Sequence, residues 1–165
     1  MIAELDEHLV YSGDNNGMIL LWSAVDESLR CTLEGHTAKI TCLHAKGKRL
    51  YSGSADLTIK VWECQDDTNA CLATLEDHTC VIEGLALFKN RLYSHGIDNI
   101  VKVWSIEDFS SIDTLDGNTN RVREMAIRKD ERVYVMSDYN NTDKNRRVVH
   151  AWDRVGTIDV PTYSP

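Results

Sequence analysis

The sequence predicts an all-β fold built from repeated four-stranded sheets, and three observations support this. Tryptophans recur at a near-constant spacing, short β-branched or aromatic runs alternate with turn residues, and no helical period of useful length is present. The tryptophans are Trp22, Trp62, Trp104 and Trp152, which lie 40, 42 and 48 residues apart. Four short strands in about 40 residues make one propeller blade, so we expect a β-propeller of four blades, each of four antiparallel strands.

Four segments that end at these tryptophans align with one another. They are LVYSGDNNGMILLW at 9–22, RLYSGSADLTIKVW at 49–62, RLYSHGIDNIVKVW at 91–104 and RVYVMSDYNNTDKNRRVVHAW at 132–152. Upstream, LEGHT at 33–37, LEDHT at 75–79 and LDGNT at 115–119 align as well. The expected blades of this single domain are 1–34, 35–76, 77–116 and 117–160, each boundary being approximate. In the first segment, Asn16-Gly17 favours a type I′ hairpin turn.

A possible catalytic constellation lies in the second segment. His36, Ser52 and Asp56 have the side-chain types of a hydrolytic triad. Catalysis needs one such set, with an open path for substrate and an oxyanion site. Here the set recurs, with the same serine-to-tryptophan spacing, which indicates a structural device because buried polar groups must be paired. We therefore expect a protein that is not an enzyme.

The Gly-His, Ser-Gly-x-x-Asp and terminal Trp pattern of these segments resembles the WD-repeat, or β-transducin-type, propeller family. The resemblance implies a hydrogen-bonded tetrad in each blade. Its members would be His36, Ser52, Asp56 and Trp62, then His78, Ser94, Asp98 and Trp104. The first blade keeps Ser12 and Trp22. The fourth has Asn118 and Val135 at the histidine and serine positions, and seven extra residues before its tryptophan, so it should be the least rigid.

Charge and cysteine content narrow the class of protein. The net charge of −8 argues against a general nucleic-acid binder, although residues 119–154 carry nine Lys and Arg against six Asp and Glu. Five cysteines with no C-x-x-C pair indicate reduced thiols in a cytoplasmic or nuclear protein. A zinc site at Cys42 and His44 would lack a second ligand pair, so no metal or cofactor is expected.

No apolar run is long enough to span a membrane and no secretory signal is present, so no membrane association is expected.

Candidate partner-binding residues follow from the resemblance. In the family, contacts often come from the third and fifth residues after the Gly-His histidine and from the residue before the aspartate. These positions hold Lys39 and Thr41, Val81 and Glu83, Arg121 and Arg123, and Asn15, Ala55 and Ile97. The insertion of blade 4 adds Lys144, Arg146 and Arg147. Arg121 and Arg123 would point the same way on a strand, and with the loop cations they form a candidate basic patch on blade 4. The alternative is a solvated charged loop.

The expected function is a non-enzymatic scaffold that docks partner proteins within a larger assembly. The alternative is a substrate-recognition module of a ubiquitin ligase or signalling complex, binding an acidic or phosphorylated segment through the basic patch. About seven blades are usual in the family, so four would form an incomplete ring. The end blades would each keep an apolar face without a neighbour. We therefore expect ring completion by another chain, by self-association or by further blades of a longer polypeptide.

Overall fold

The computed structural model describes residues 2–6, 9–65, 68–116, 121–138, 147–153 and 156–158. These residues form four antiparallel sheets of four strands each, with no helix among them. This confirms the predicted fold class. Nothing in the described part of the chain has the length and apolarity of a membrane-spanning helix.

The strands follow one another in order across each sheet. Blade 1 contains β1 Ile2–Asp6, β2 Leu9–Gly13, β3 Ile19–Ser23 and β4 Leu29–Leu33. Blade 2 contains β5 Ile40–Lys46, β6 Arg49–Ser54, β7 Ile59–Gln65 and β8 Thr68–Leu75. Blade 3 contains β9 Ile82–Phe88, β10 Arg91–Gly96, β11 Val101–Ser105 and β12 Ser111–Leu115. Blade 4 contains β13 Val122–Ile127, β14 Val133–Asp138, β15 Arg147–Asp153 and β16 Gly156–Ile158.

The turn between the second and third strands is not of the predicted type I′. Only Gly17 of the Asn16-Gly17 pair has a positive φ, of 90°, whereas type I′ requires positive φ at both central residues. The Asp14 carboxylate instead accepts the N–H groups of Asn16 and Met18, at 2.8 and 2.9 Å. Leu57 and Asn99 occupy the position of Gly17 in blades 2 and 3 and share its positive φ. The backbone shape of this turn therefore recurs with three different residues.

Each blade has two apolar faces, because alternate residues of a strand point to opposite sides of the sheet. We call one the Trp face, which in blade 2 carries Leu50, Ser52 and Trp62, and the other the Tyr face, which carries Tyr51 and Val61. The Tyr face of each blade packs on the Trp face of the next, and we call this contact a seam. The three hydrophobic cores of the described residues are the three seams, 1/2, 2/3 and 3/4.

The blades stack in chain order and form an unclosed ring. Among the described residues, no blade covers the Trp face of blade 1 or the Tyr face of blade 4. Trp22 is only half-buried, whereas Trp62, Trp104 and Trp152 are at most 4% exposed. Val149, on the Tyr face of blade 4, is 38% exposed, while its counterparts Ile19, Ile59 and Val101 are completely buried.

Candidate functional site

The residues of the second segment form one hydrogen-bonded chain. The His36 Nδ1 atom lies 2.7 Å from the Asp56 Oδ2 atom, and the His36 Nε2 atom lies 2.8 Å from the Ser52 Oγ atom. The indole N–H of Trp62 donates to the same Ser52 oxygen at 2.8 Å. The register produces this arrangement, because Leu50 pairs with Trp62 and Ser52 with Lys60, which places the serine and the tryptophan on one face.

The order of hydrogen-bond donors and acceptors in this network is that of a hydrolytic triad. The serine, however, is not accessible as it would be in a triad. With Nδ1–H donating to the Asp56 carboxylate, His36 Nε2 accepts from the Ser52 hydroxyl, the tautomer being assigned from the network. The Ser52 residue is completely buried and its oxygen already accepts from Trp62. A nucleophile needs an exposed oxygen beside a substrate path. The arrangement supports packing and excludes nucleophilic attack by Ser52.

The ionisation of this network follows from its hydrogen bonds. Burial raises the pKa of Asp56, but hydrogen bonds from Thr58, Thr37 and His36 outweigh it and lower the pKa to about 2. Burial lowers the pKa of His36, although the Asp56 carboxylate opposes this. The pair is therefore a carboxylate and a neutral imidazole at neutral pH. Because Asp56 also accepts the Thr37 N–H at 2.9 Å, the network fixes the strand-entry loop to the β6–β7 turn.

The third segment forms the equivalent chain. The His78 Nδ1 atom lies 3.1 Å from Asp98 Oδ2, His78 Nε2 lies 2.8 Å from Ser94 Oγ, and the Trp104 indole donates to Ser94 at 2.8 Å. Among the described residues of blade 1, the bond from the Trp22 indole to Ser12 Oγ, at 2.9 Å, is the part of the network that remains. In blade 4, Val135 is buried at the serine position, and Asn118 lies outside the described residues.

Two compensating exchanges distinguish blade 3 from blade 2, and sequence reasoning missed both. In blade 2 the Asp56 N–H donates to Ser54 Oγ at 3.0 Å. Blade 3 has Gly96 at that position, and the Asp98 N–H donates instead to Cys80 Sγ at 2.7 Å. The sulfur comes from the strand-entry loop, so the same backbone donor is satisfied from the other side.

The second exchange concerns seam 3/4. Cys42 pairs with Gly53 in blade 2, whereas Gly84 pairs with His95 in blade 3, so the large and small residues change strands. His95 is 4% exposed, and in the described part of the chain its Nδ1 has no hydrogen-bond partner. Burial lowers the pKa of His95 to about 4, with Glu83 opposing the shift. The signal in the sequence is the change from Ser-Gly-Ser at 52–54 to Ser-His-Gly at 94–96.

Cys42, one of the two residues considered for a zinc site, is a buried core residue. Cys42 lies in the core of seam 2/3, and burial raises the pKa of its thiol to about 12, so the thiol stays protonated. The described residues contain no group of three or more His, Cys, Asp or Glu side chains that could hold a metal ion.

The predicted partner-binding residues differ in their surroundings. Lys39 is exposed and lines a cavity of about 320 Å³ with Ile40, Thr41, Val81 and Glu83. Asn15 and Ile97 are exposed and Ala55 is half-buried. Lys144 and Arg146 lie outside the described residues, and Arg147 is the first residue of β15, with a side chain that is not described.

We expected Arg121 and Arg123 to share one face of a strand, and in the structure they do not. Arg121 precedes β13, and the register shifts between Val122 and Glu124, so Arg123 lies at the irregularity. The Arg121 guanidinium forms a two-point ion pair with Glu83, with Nε 2.9 Å from Oε2 and Nη2 in contact with Oε1. Arg123 is exposed. We call the set Lys39, Thr41, Val81, Glu83, Arg121 and Arg123 the upper rim, where the positive charge of Arg121 is already paired.

Comparison with known proteins agrees with this geometry. Residues 27–63 match the family model "WD domain, G-beta repeat". The chain is 39% identical over 61 residues to zinc finger CCCH domain-containing protein 62 of Arabidopsis thaliana, a match that covers 33% of this chain and 15% of that protein. It is 42% identical over 65 residues to putative E3 ubiquitin-protein ligase LIN-1 of Lotus japonicus, covering 38% of this chain and 4% of that protein. The chain thus spans only a small part of the curated relatives that it matches.

Solved structures with the same fold cover nearly the whole chain. The computationally designed Ika4 protein superposes with a TM-score of 0.75 at 28% identity, covering 92% of this chain and 88% of that one. The structure of U3-55K superposes with a TM-score of 0.77 at 24% identity, covering 93% of this chain and 51% of that one. The repeated segments, the four stacked sheets and these likenesses together show a β-propeller fold of four blades in an unclosed ring, in which residues 27–63 match the WD-repeat model.

Proposed function

We propose that the chain is a non-enzymatic scaffold that docks partner proteins within a larger assembly, with the upper rim as its main docking surface. The main support comes from the burial and hydrogen bonding of the histidines in the two complete tetrads, those of blades 2 and 3. Their histidines have buried side chains, 0% and 1% exposed, and both nitrogens of each ring are hydrogen-bonded. Side chains held in this way serve the rigidity of the blades and offer no reactive group.

The upper rim supports the proposal because it combines accessible groups with a fixed backbone. The strand-entry loop that carries Lys39 is tied to the β6–β7 turn by the hydrogen bond from Thr37 N–H to Asp56. The Ala55 N–H donates to the Lys39 carbonyl at 2.9 Å. The ion pair of Arg121 with Glu83 links blade 4 to blade 3 at the same rim. A surface of fixed shape loses little conformational entropy when it binds a partner.

Site-specific crosslinking tests this function. A photoreactive benzoylphenylalanine replaces Lys39 in one variant and, as a matched control, Val25 in another, which is 71% exposed on a loop at the other end of the strands. We expect irradiation in cell extract to give discrete protein adducts from position 39 that are absent from position 25. Identical adducts from both positions, or none from position 39, would contradict docking at the upper rim.

A second candidate function is recognition of an acidic or phosphorylated segment, as part of a ubiquitin ligase. It is favoured by the exposed cations Lys39 and Arg123 and by the 42% identity with the Lotus japonicus protein. It is weakened by Glu83, which pairs with Arg121. A labelled acidic phosphopeptide should bind the wild-type chain, weaken with added salt, and fail to bind the variant carrying Lys39→Glu and Arg123→Glu. The control Arg128→Glu should bind normally, and phosphopeptide binding that ignores the double change would reject this candidate.

A further inference from the structure

A loop closes the outer end of seam 2/3. Arg49 is the first residue of β6, and its guanidinium Nη1 donates to the backbone carbonyl of Ile106 at 2.6 Å. The same guanidinium carbon lies 5.3 Å from the centre of the Phe109 ring. Both partners belong to the five-residue connection 106–110 between β11 and β12 of the next blade. An arginine of blade 2 is therefore covered by a carbonyl and an aromatic ring of blade 3.

At seam 3/4, the described residues provide no such cover. Arg91 is the first residue of β10 and lies three residues before Ser94, as Arg49 does before Ser52. In the part of the chain that the structure describes, the Arg91 guanidinium has no hydrogen bond or ion pair. The connection between β15 and β16 is only two residues long, three shorter than its counterpart in blade 3. The sequence of blade 4 thus lacks the residues that would correspond to the covering loop.

A cavity lies where the loop would be. Arg91 lines a space of about 550 Å³ together with Phe88, Glu107 and Glu131. It also lines an adjoining space of about 350 Å³ that reaches Val133 and Trp152. Tyr93 and Ile112 belong to both spaces, and Ile112 is 46% exposed although it is apolar. These volumes are in the range of sites that hold a large side chain or a small ligand.

The charges around the cavity restrict what can enter it. Glu107, Asp113 and Glu131 provide carboxylates at the rim, and Lys89 pairs with Glu131. These carboxylates would repel an acidic segment, whereas a neutral or basic segment would not be repelled. An aromatic ring suits both the planar guanidinium and the apolar floor, and a backbone carbonyl suits the guanidinium N–H groups.

We propose that this cavity is a docking site for a neutral or basic segment of a partner protein, which inserts an aromatic side chain over Arg91 and offers it a main-chain carbonyl. The partner would reproduce in trans what Ile106 and Phe109 do for Arg49 within the chain. The site is separate from the upper rim, because Arg91 begins β10 at the end opposite to the β10–β11 turn. This proposal goes beyond the scaffold function proposed above. If it is wrong, docking at the upper rim is unaffected.

A peptide taken from the chain itself is the probe. The acetylated and amidated segment Ser105–Ser110 carries Glu107→Gln and Asp108→Asn, so that it is neutral, and is titrated into the labelled chain while NMR signals are followed. We expect saturable binding, with a Kd on the order of 1 mM or below, and shifts of the Arg91 side-chain signal. The loop that already covers Arg49 is tethered, so its high effective concentration protects that site from the peptide.

Three changes decide the assignment. Arg91→Ala, and Phe109→Ala in the peptide, should each weaken binding at least about tenfold. Arg128→Ala removes an exposed arginine of blade 4 and should leave binding unchanged. Thermal melts check that the Arg91 variant folds, and Ile112→Glu at the cavity edge provides a second disruption if it does not. Absence of saturation up to about 10 mM peptide, or binding that tolerates loss of Arg91 or of the aromatic ring, would overturn the proposal.

Discussion

At the scale of single residues, the hydroxyl of Ser52 is the centre of the blade 2 network. It accepts from Trp62 and is bonded to His36, so one small side chain satisfies two large buried ones. Ser94 does the same in blade 3. Among the described residues, Ser12 has one such partner, Trp22, and no blade covers the Trp face on which it lies. The same residue type should therefore contribute differently to stability in different blades.

Replacing the two serines by alanine should reveal this difference. Ser52→Ala leaves a buried indole N–H and a buried imidazole nitrogen unpaired, so we expect the free energy of unfolding to fall by about 2 to 4 kcal/mol. Ser12→Ala leaves one half-buried indole that water can reach, at a cost of less than about 1 kcal/mol. Urea unfolding followed by tryptophan fluorescence measures both changes. Equal losses in the two variants would show that the network adds nothing to the single bond.

His95 should make stability depend on pH. Its pKa in the folded chain is about 4, below the ordinary value of 6.5, so the neutral form is favoured by folding. The stabilisation is complete above pH 6.5 and is lost as the pH falls from 6.5 towards 4, because the unfolded chain binds the proton first. His36 and His78 contribute in the same direction.

Replacing His95 by glutamine removes this titration. Between pH 7 and pH 4 we expect His95→Gln to lose less stability than the wild type, by up to about 3 kcal/mol. Urea unfolding at several pH values gives the comparison. The network carboxylate Asp56 titrates lower, with a pKa of about 2, so its stabilisation is lost only as the pH falls below about 4 in both chains. Parallel pH profiles of the two chains would contradict the assignment to His95.

At the scale of elements, seams 2/3 and 3/4 differ in which of two paired strand positions holds a large side chain and which holds glycine. In blade 2 the large residue is Cys42, on the first strand of the blade. In blade 3 it is His95, on the second strand. A Cβ atom at Gly84 would lie 2.2 Å from the His95 Nε2 atom, and one at Gly53 would lie 2.5 Å from the Cys42 Sγ atom. Each glycine is therefore required by its own partner.

A double substitution should transfer the blade 2 solution to blade 3. Gly84→Cys alone forces a clash with the His95 ring, and we expect a loss of roughly 1 to 3 kcal/mol in the free energy of unfolding. Adding His95→Gly should recover most of that loss, because the pair then matches Cys42 and Gly53. The double-mutant cycle is measured by chemical denaturation. Losses that simply add would show that the two positions do not exchange volume.

At the scale of the whole molecule, two sheet faces have the apolar character of the faces that are buried in the seams. No blade in the described part of the chain covers them. They are the Trp face of blade 1, with Val10, Leu20 and Trp22, and the Tyr face of blade 4, with Tyr134 and Val149. Within the chain, a Tyr face always packs on the Trp face of the following blade. A second copy offers both faces in the matching order.

We therefore predict concentration-dependent association of the 165-residue chain. Leu20→Lys or Val149→Lys should each shift sedimentation towards the monomer, since each charges one of the two faces. A mixture of the two variants should recover part of the association, because one contact of a mixed pair then has both of its faces intact. The control Val25→Lys changes an exposed residue of the β3–β4 loop, away from both faces, and should have no effect. A wild-type chain that stays monomeric at all concentrations would contradict this prediction.

The sequence by itself determined the all-β class, the four-stranded repeat and the likeness to WD-repeat propellers. These are local properties: alternation sets the strand faces, and a spacing of ten positions from Ser52 to Trp62 places both on one face of a hairpin. The tertiary structure alone decided that Arg121 pairs with Glu83, that His95 is buried against Gly84, and that Arg91 lines an open cavity while Arg49 is covered. Each of these depends on which residues meet where strands pair or blades pack, and the spacing within one repeat carries no information about that contact.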